Sequence, residues 1–232
     1  MRSRTIGVCF FLLCTPLFAQ GPLPDTLHGA DKLVALLKGV SQMQRETTTL
    51  AATFEQRRVS HLLAAPSVSR GKFYFKAPDE VRWEYEAPRE MVVVLAGGTA
   101  ITYRPLEKRA ERVQVGRAQR RVFRFLGAAE PLEELQRYFS FTFRDRGPGY
   151  PYELSLQPTA RMLKKRIKDV VLQIDRTTLM PIAVSYAEPD GDTTSYAFSD
   201  VVRNGALPAG LFHLELPPDV RVVEINLKSR EE

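Results

Sequence analysis

Two alternating stretches decide the fold of this chain: Gly71-Lys72-Phe73-Tyr74-Phe75-Lys76 and, after the turn Ala77-Pro78-Asp79-Glu80, Val81-Arg82-Trp83-Glu84-Tyr85-Glu86. In both, an apolar side chain follows a charged or polar one at a period of two. An antiparallel sheet with one buried face and one wet face produces this alternation. Because proline and aspartate favour turns, the two stretches predict neighbouring strands of a meander.

More strands are predicted on both sides of this meander. Before it, Leu50, Ala52 and Phe54 share one face of a strand. After it, strands are predicted at 91–95, 99–103, 108–115, 139–143, 152–156, 170–174, 182–186, 193–201, 212–216 and 220–225. Asp190-Gly191 predicts a hairpin turn between two of them. A succession of short strands without a strand–helix–strand rhythm indicates one antiparallel sheet.

Two segments show helical spacing instead. Between 27 and 45, apolar residues recur every three or four positions, at Ala30, Leu33, Leu36, Leu37, Val40 and Met43. A shorter segment, 122–138, contains Val122, Phe123, Phe125 and Leu126, and Pro131 suits the first turn of a helix. We expect both segments to cover the concave face of a single, highly curved sheet. The predicted fold class is therefore mainly β, with a lid of short helices.

The first 19 residues have the pattern of a cleaved secretory signal peptide. Arg2 and Arg4 precede an apolar run at 6–18, and Ala19 supplies a small residue at the cut. Lipid modification of Cys14 is less favoured, because no small residue precedes it. Both cysteines lie in this segment, so the remaining domain, 20–232, is predicted to form neither disulfides nor thiolate sites.

The charge balance excludes some partners and permits others. The chain has a formal net charge of +6. Without the first 19 residues it has 31 basic and 27 acidic residues. This modest excess, without a recognised motif, argues against nucleic acid as a partner. It is compatible with an anionic membrane surface or an acidic protein. The basic groups at 104–124 and 161–168 suit either such docking or solvated loops and strand edges.

A search for catalytic chemistry finds none. The three histidines, His28, His61 and His213, belong to unrelated elements, and no HExxH, GxSxG or phosphate-binding glycine motif occurs. Glu84 and Glu86 alternate onto the wet face. We therefore expect a protein that is not an enzyme and uses neither a cofactor nor a metal.

Short motifs spread over most of the chain occur in a characteristic order. They are Phe54-Glu55-Gln56, Gly71 with Phe73 and Phe75, Lys76-Ala77-Pro78-Asp79, Arg82-Trp83-Glu84-Tyr85, Pro88, Gly97, Tyr103-Arg104-Pro105, Phe125-Leu126, Asp175, Ile182, Asp190, Ser195-Tyr196, Phe198, Phe212-His213-Leu214 and Pro217-Pro218-Asp219-Val220. In this order they resemble the periplasmic outer-membrane lipoprotein carrier family.

The resemblance implies an incomplete barrel of about eleven strands with a helical lid. It also implies a monomeric, soluble periplasmic carrier. Such a carrier takes a lipoprotein from an inner-membrane release complex, shelters its acyl chains and yields them to an outer-membrane acceptor. Exposure of acyl chains to water costs about 0.8 kcal/mol per CH₂, so a carrier needs an apolar cavity. A carrier of another acylated molecule or of a lipid linked to an exporter, and a lipid-sensing module of the same fold, are the alternatives.

The predicted acyl-chain site combines inward strand residues with the helical segment. Its members are Phe73, Phe75, Val81, Trp83, Tyr85, Val92, Val94, Ile101, Tyr103, Phe123, Phe125 and Leu126. A packed core without a cavity is the alternative for the same pattern. Many family members carry an arginine, thought to latch the lid, where this chain has Ala77. Arg82 and Arg70 are the candidates to replace it, and the lid is expected to open more readily.

Overall fold

The computed structural model describes residues 23–115 and 132–225. The predicted signal peptide and Phe123, Phe125 and Leu126 lie outside the described residues. The helices are α1 (Gly29–Arg45), α2 (Leu132–Leu135) and α3 (Arg161–Lys164), and a 3-10 turn spans Pro105–Glu107. The strands are β1 (Thr49–Val59), β2 (Ser67–Lys76), β3 (Glu80–Ala87), β4 (Met91–Ala96), β5 (Thr99–Arg104), β6 (Arg109–Gln114), β7 (Phe139–Arg144), β8 (Tyr152–Pro158), β9 (Asp169–Ile174), β10 (Pro181–Ala187), β11 (Thr193–Arg203) and β12 (Arg221–Ile225).

All of these strands belong to one curved, open sheet. Its order is β12-β6-β5-β4-β3-β2-β1-β11-β10-β9-β8-β7. Two meanders, β2 to β6 and β7 to β11, therefore meet at β1, which pairs with β2 on one side and β11 on the other. Every described pairing is antiparallel except that of β12 with β6. The predicted fold class is confirmed, with twelve strands where the resemblance implies about eleven.

The inner face of the sheet is apolar across both meanders. The register places Phe73 opposite Trp83, and Phe54 opposite both Gly71 and Phe198. Leu154 and Leu172 continue the same face in the other meander. These side chains form one buried core with the apolar stripe of α1, namely Leu36, Leu37, Val40 and Met43. The predicted covering of this face by the first helix is confirmed.

The second predicted helical segment agrees with the structure where the structure describes it. Leu132 and Leu135 of α2 are buried in the same core as α1. The backbone N–H of Leu132 donates to Gln44 Oε1 at 3.2 Å, which ties α2 to the last turn of α1. Both helices therefore cover the inner face.

The outer face is crossed by residues 204–220, here called the outer strap. Arg82 Nη1, on the outer face of β3, donates to the carbonyl of Leu211 at 2.9 Å, and Lys76 Nζ lies 5.9 Å from the Phe212 ring centre. The strap ends where Arg221 N–H donates to the carbonyl of Lys108. The strand predicted at 212–216 is wrong, because this segment crosses over the sheet instead of pairing within it. The crossing also explains why β12 pairs with β6 in parallel.

Candidate functional site

An aromatic cluster occupies the centre of the inner face. Trp83, 5% exposed, lies 4.8 Å from Phe54, 4.7 Å from Phe73 and 5.3 Å from Tyr196, measured between ring centroids. The rings meet because β3, β2, β1 and β11 are consecutive neighbours and each presents an aromatic residue inward. The Phe54 and Trp83 planes cross at 72°, the edge-to-face arrangement that aromatic quadrupoles favour. This part of the face is a packed core.

Gly71 makes this packing feasible. A Cβ atom at this position would lie 1.8 Å from the carbonyl oxygen of Glu84 and 3.0 Å from Cε1 of Phe54. Only a residue without a side chain fits there, so the Phe54 ring packs directly over the backbone of β2.

An apolar cavity of about 30 Å³ lies beside this cluster, under the C-terminal end of α1. That is room for about one water molecule. Helix α1 contributes one wall and the strands β1, β2, β10 and β11 contribute the other; the lining residues are Met43, Gln44, Thr47, Leu50, Ala52, Phe75, Met180, Pro181, Phe198 and Val201. The cavity therefore lies where the helix end and the sheet would separate if the fold opened.

Five of the predicted site residues share the inner face. Phe73, Phe75, Val81 and Trp83 are buried and Tyr85 is half-buried. Phe75 lines the cavity, whereas Trp83 belongs to the packed cluster next to it. Their role in binding acyl chains stays a prediction.

Four predicted site residues lie on the other face. In the sheet register, Val92 lies between Glu84 of β3 and Tyr103 of β5. Val94 likewise lies between Arg82 and Ile101. Residues paired across neighbouring strands share a face, so all four lie on the outer face with Arg82. The expected common face is therefore wrong for Val92, Val94, Ile101 and Tyr103. Strand β4 is apolar on both sides, and Val94 is 2% exposed on the face that the outer strap crosses. A continuous apolar run is typical of a strand that is covered on both faces. The apolar run of β4 could therefore have indicated that some of its apolar side chains face outward.

Sequence reasoning missed several cavity residues. Met180, just before β10, and Pro181, its first residue, line the cavity but carry no sequence signal, and the sequence marks Val201 only as a strand residue. Met43, by contrast, was on the predicted helix stripe. No sequence pattern could place β10 and β11 next to α1, because those contacts join residues more than 130 positions apart.

The C-terminal end of α1 is bonded to the end of β11. Asn204 Oδ1 accepts from the backbone N–H of Thr48 at 2.8 Å, and Asn204 Nδ2 donates to the Glu46 carbonyl at 3.0 Å. Arg203 Nη1 donates to the Met43 carbonyl at 3.3 Å. The last carbonyls of a helix have no partner within it, and β11 satisfies two of them here.

The N-terminal half of α1 is held by charge. Lys32 is buried and its Nζ lies 2.7 Å from Asp145 Oδ2, in the loop after β7. Asp145 also pairs with Arg176, whose guanidinium lies 4.2 Å from the Tyr152 ring centre. Partial burial would raise the pKa of Asp145, but hydrogen bonds from Lys32, Gly147 N–H and Arg176 outweigh it and lower the pKa to about 2.

A second, larger cleft of about 540 Å³ lies at the opposite end of the inner face. It is open and mixed in character, in contrast to the small apolar cavity. Its lining residues are Gln56, Ser67, Ser69, Tyr85, Pro88, Arg89, Glu90, Met91, Arg104, Leu106 and Glu107.

Comparison with known proteins decides the family. Residues 45–215 match the sequence model of the family described as outer membrane lipoprotein carrier protein LolA. The chain belongs to the LolA family. It is 28% identical to the outer-membrane lipoprotein carrier protein of Chromohalobacter salexigens over 224 residues, covering 91% of this chain and 92% of that protein. It is 27% identical to the protein of the same description from Dechloromonas aromatica over 221 residues, covering 94% of each.

Solved structures agree on the fold. An uncharacterized conserved protein from Thermus thermophilus superposes with a TM-score of 0.53 at 13% identity, covering 84% of this chain and 99% of that one. MucB superposes with a TM-score of 0.50 at 15% identity, covering 81% of this chain and 64% of that one. Neither of the two described stretches contains a helix of the length and apolarity that a membrane crossing requires.

Ala77, at the position predicted for a latch, lies next to the cavity. The backbone N–H of Ala77 donates to the carbonyl of Thr48 at 2.8 Å, one residue from the cavity wall at Thr47. The two arginines considered as replacements bind elsewhere. Arg82 pairs with Glu84 and the outer strap, and Arg70 pairs with Glu55, all on the outer face.

Proposed function

We propose that this LolA-family protein is a periplasmic carrier that shelters the acyl chains of lipoproteins and moves them from the inner to the outer membrane. The observation that supports the proposal is the apolar cavity between α1 and an aromatic inner face. Transport by a soluble carrier requires that acyl methylenes leave water, and aliphatic and aromatic walls meet that need.

Uptake requires the cavity to grow. Its volume of about 30 Å³ is far below the space that even one acyl chain fills. Because Met43 and Thr47 line one wall and Phe75 and Phe198 the other, a movement of the C-terminal end of α1 away from the sheet opens it. The state described is the closed one, and binding energy from the cargo offsets the cost of opening.

The cellular setting belongs to the same proposal. Residues 1–19 act as a signal peptide, and the exported domain works in the periplasm as a monomer. An inner-membrane release complex supplies its cargo and an outer-membrane acceptor receives it. Family membership and the relatives described as outer-membrane lipoprotein carrier proteins support this part of the proposal.

A lipopeptide uptake assay tests the proposal. The mature protein is mixed with a fluorescent triacylated lipopeptide during detergent removal, and the soluble complex is isolated by gel filtration. Val201→Glu places a charge in the cavity wall and should reduce complex formation by tenfold or more, about 1.4 kcal/mol or above. Val202→Glu is the matched control, because this neighbour is exposed. Equal loss in both variants, or no complex with the wild type, would contradict the proposal.

The alternative cargo is tested in the same assay. Ala77 in place of the family arginine favours a divergent carrier, since it removes the expected latch from the cavity edge. A diacyl phospholipid and an acylated sugar are therefore offered in competition with the lipopeptide. Preferential retention of either would assign the protein to another lipid instead of lipoproteins.

A further inference from the structure

Exposed apolar side chains are concentrated at one hairpin. Four of the ten large hydrophobic residues that are exposed in the described chain belong to the β1–β2 hairpin: Leu62 and Leu63 in its loop, and Val59 and Val68 at the adjoining strand ends. Leu62 is 81% exposed. Isolated exposed leucines are ordinary, but a contiguous cluster marks a surface that contacts something apolar.

The hairpin presents these leucines from an ordered turn. Leu63 N–H donates to the carbonyl of Ser60 at 3.0 Å. The buried carboxylate of Asp192 accepts from His61 Nδ1 at 2.9 Å and from Arg58 at 3.3 Å, which pins the base of the turn to the β10–β11 hairpin. The leucines therefore project from a base that is tied to the β10–β11 hairpin.

Positive charge flanks the apolar tip. Residues 55–70 contain three arginines, Arg57, Arg58 and Arg70, and the acidic Glu55. Arg70 pairs with Glu55 and Arg58 with Asp192 of the adjacent hairpin, so the positive charge that these pairs leave is that of Arg57. All three arginines are exposed. Apolar tips with cationic flanks suit the interface of a bilayer, where leucines enter the acyl boundary and guanidinium groups meet phosphates.

A second apolar tip lies at the same end of the molecule. Leu106, in the turn between β5 and β6, is 77% exposed. It lines the cleft of about 540 Å³ together with Ser67 and Ser69 of β2, so the cleft separates the two tips. Two apolar points on one end define an orientation, which a single point does not.

We propose that this end of the protein, formed by the β1–β2 hairpin and the β5–β6 turn, docks on an anionic phospholipid surface through Leu62, Leu63 and Leu106. The cavity under α1 lies at the other end of β1 and β2, beside Leu50 and Phe75. Docking therefore leaves the cavity pointing away from the bilayer and accessible to partners. This goes beyond the carrier role, because it does not depend on which cargo the cavity holds.

Vesicle flotation tests the proposal with the full mature chain. Wild type is expected to bind vesicles of phosphatidylglycerol and phosphatidylcholine about tenfold or more above pure phosphatidylcholine, and salt should reduce the difference. The double variant Leu62→Glu/Leu63→Glu should lose about tenfold or more of this binding. Val34→Glu, at an exposed valine on α1, is the control. It adds one negative charge away from the proposed docking surface and should bind like wild type apart from the repulsion of that single charge.

Depth of insertion provides a second readout. Both cysteines precede residue 20, so Leu62→Cys can be labelled singly in the mature chain. An environment-sensitive dye there should shift to shorter wavelength on anionic vesicles, and the same dye at Val34→Cys should not. Absence of wild-type binding, undiminished binding of the glutamate variant, or equal dye shifts would overturn the proposal. Lipopeptide uptake by the glutamate variant should match wild type, which separates this proposal from the carrier function.

Discussion

At the scale of single residues, the centre of the inner face depends on one glycine. Phe54 packs on Trp83 and Tyr85 at centroid distances of 4.8 and 5.0 Å, and its ring also lies over Gly71. The aromatic residues supply buried area, and Gly71 supplies the space that brings them together.

Gly71→Ala should destabilise the protein by about 1–3 kcal/mol or more, because the new Cβ would collide with the carbonyl oxygen of Glu84. Denaturant unfolding followed by fluorescence measures the change. Ser67→Ala, at an exposed position of the same strand, is the control and should unfold like wild type. A Gly71→Ala protein of wild-type stability would show that β2 can shift away from β3.

Position 77 offers a second prediction at this scale. Ala77→Arg should weaken the spontaneous uptake of an apolar fluorescent probe. The new guanidinium would lie beside the segment that connects α1 to β1, and hydrogen bonds to the carbonyls of that segment would favour the closed state. Probe titration measures the change. Arg82→Ala should leave uptake as it is, since Arg82 bonds the outer strap. The opposite pattern, unchanged uptake in Ala77→Arg with a large rise in Arg82→Ala, would show that the latch acts through β3.

At the scale of elements, α1 is attached to the sheet in two ways. Its N-terminal half is held by the buried Lys32–Asp145 pair. Its C-terminal end is held by neutral hydrogen bonds from Asn204 and by the half-buried Arg203, which donates to the Met43 carbonyl. Removing one member of a buried ion pair leaves an uncompensated charge, whereas a neutral hydrogen bond contributes about 1 kcal/mol. We therefore expect the C-terminal end to separate from the sheet first.

Asp145→Asn should lower the free energy of unfolding at neutral pH by about 1–3 kcal/mol, because Lys32 loses its carboxylate partner. The pKa of Asp145 falls from 3.8 to about 2 on folding, so its ionised form stabilises the native state above pH 4 and this stabilisation is lost as pH falls towards 2. The difference between wild type and variant should shrink over that window. Asp219→Asn, in an exposed pair with Lys108, is the control and should change little.

Asn204→Gly should loosen the C-terminal end of α1 without straining the backbone. Asn204 has a φ of 57°, which glycine adopts freely, so the variant removes only the side-chain bonds to Thr48 and Glu46. Faster hydrogen exchange at Thr48 and stronger probe uptake are expected. Asp200→Gly, with a φ of 52° in β11, the strand that Asn204 follows, controls for the backbone change. Equal effects of both variants would contradict a role for the Asn204 side chain.

At the scale of the whole molecule, one core joins the two meanders. Buried residues from β2 and β3, from α1, and from β8 to β10 belong to a single cluster, and β1 is the strand through which the meanders pair. Neither meander has a separate core, so neither should be stable alone.

Unfolding should therefore occur in one cooperative transition. Trp83, the only tryptophan, reports on the meander that contains β3, and far-ultraviolet circular dichroism reports on the whole sheet. Denaturant curves from the two signals should coincide, because losing either meander exposes the core of the other. A fluorescence midpoint displaced from the circular dichroism midpoint would show that the meanders unfold separately.

Local patterns were sufficient for most of the secondary structure and for one face of the site. Alternation identified β2 and β3 and placed Phe73 and Trp83 together, and helical spacing identified α1. These predictions succeed because the apolar residues of a half-buried strand or helix recur with the period of that element. The motif order likewise indicated the family before any comparison.

Sequence alone thus determined the fold class, the family and the aromatic half of the inner face. Only the tertiary structure decided that Val92, Val94, Ile101 and Tyr103 face outward. Strand β4 is apolar on both sides, so its sequence does not alternate and does not indicate which side chains face inward. The tertiary structure alone placed Met180 and Val201 at the cavity, and Asn204 at the end of α1. The physical reason is the same in each case: the partner of each residue lies far away in the chain, and only the folded molecule brings the two together.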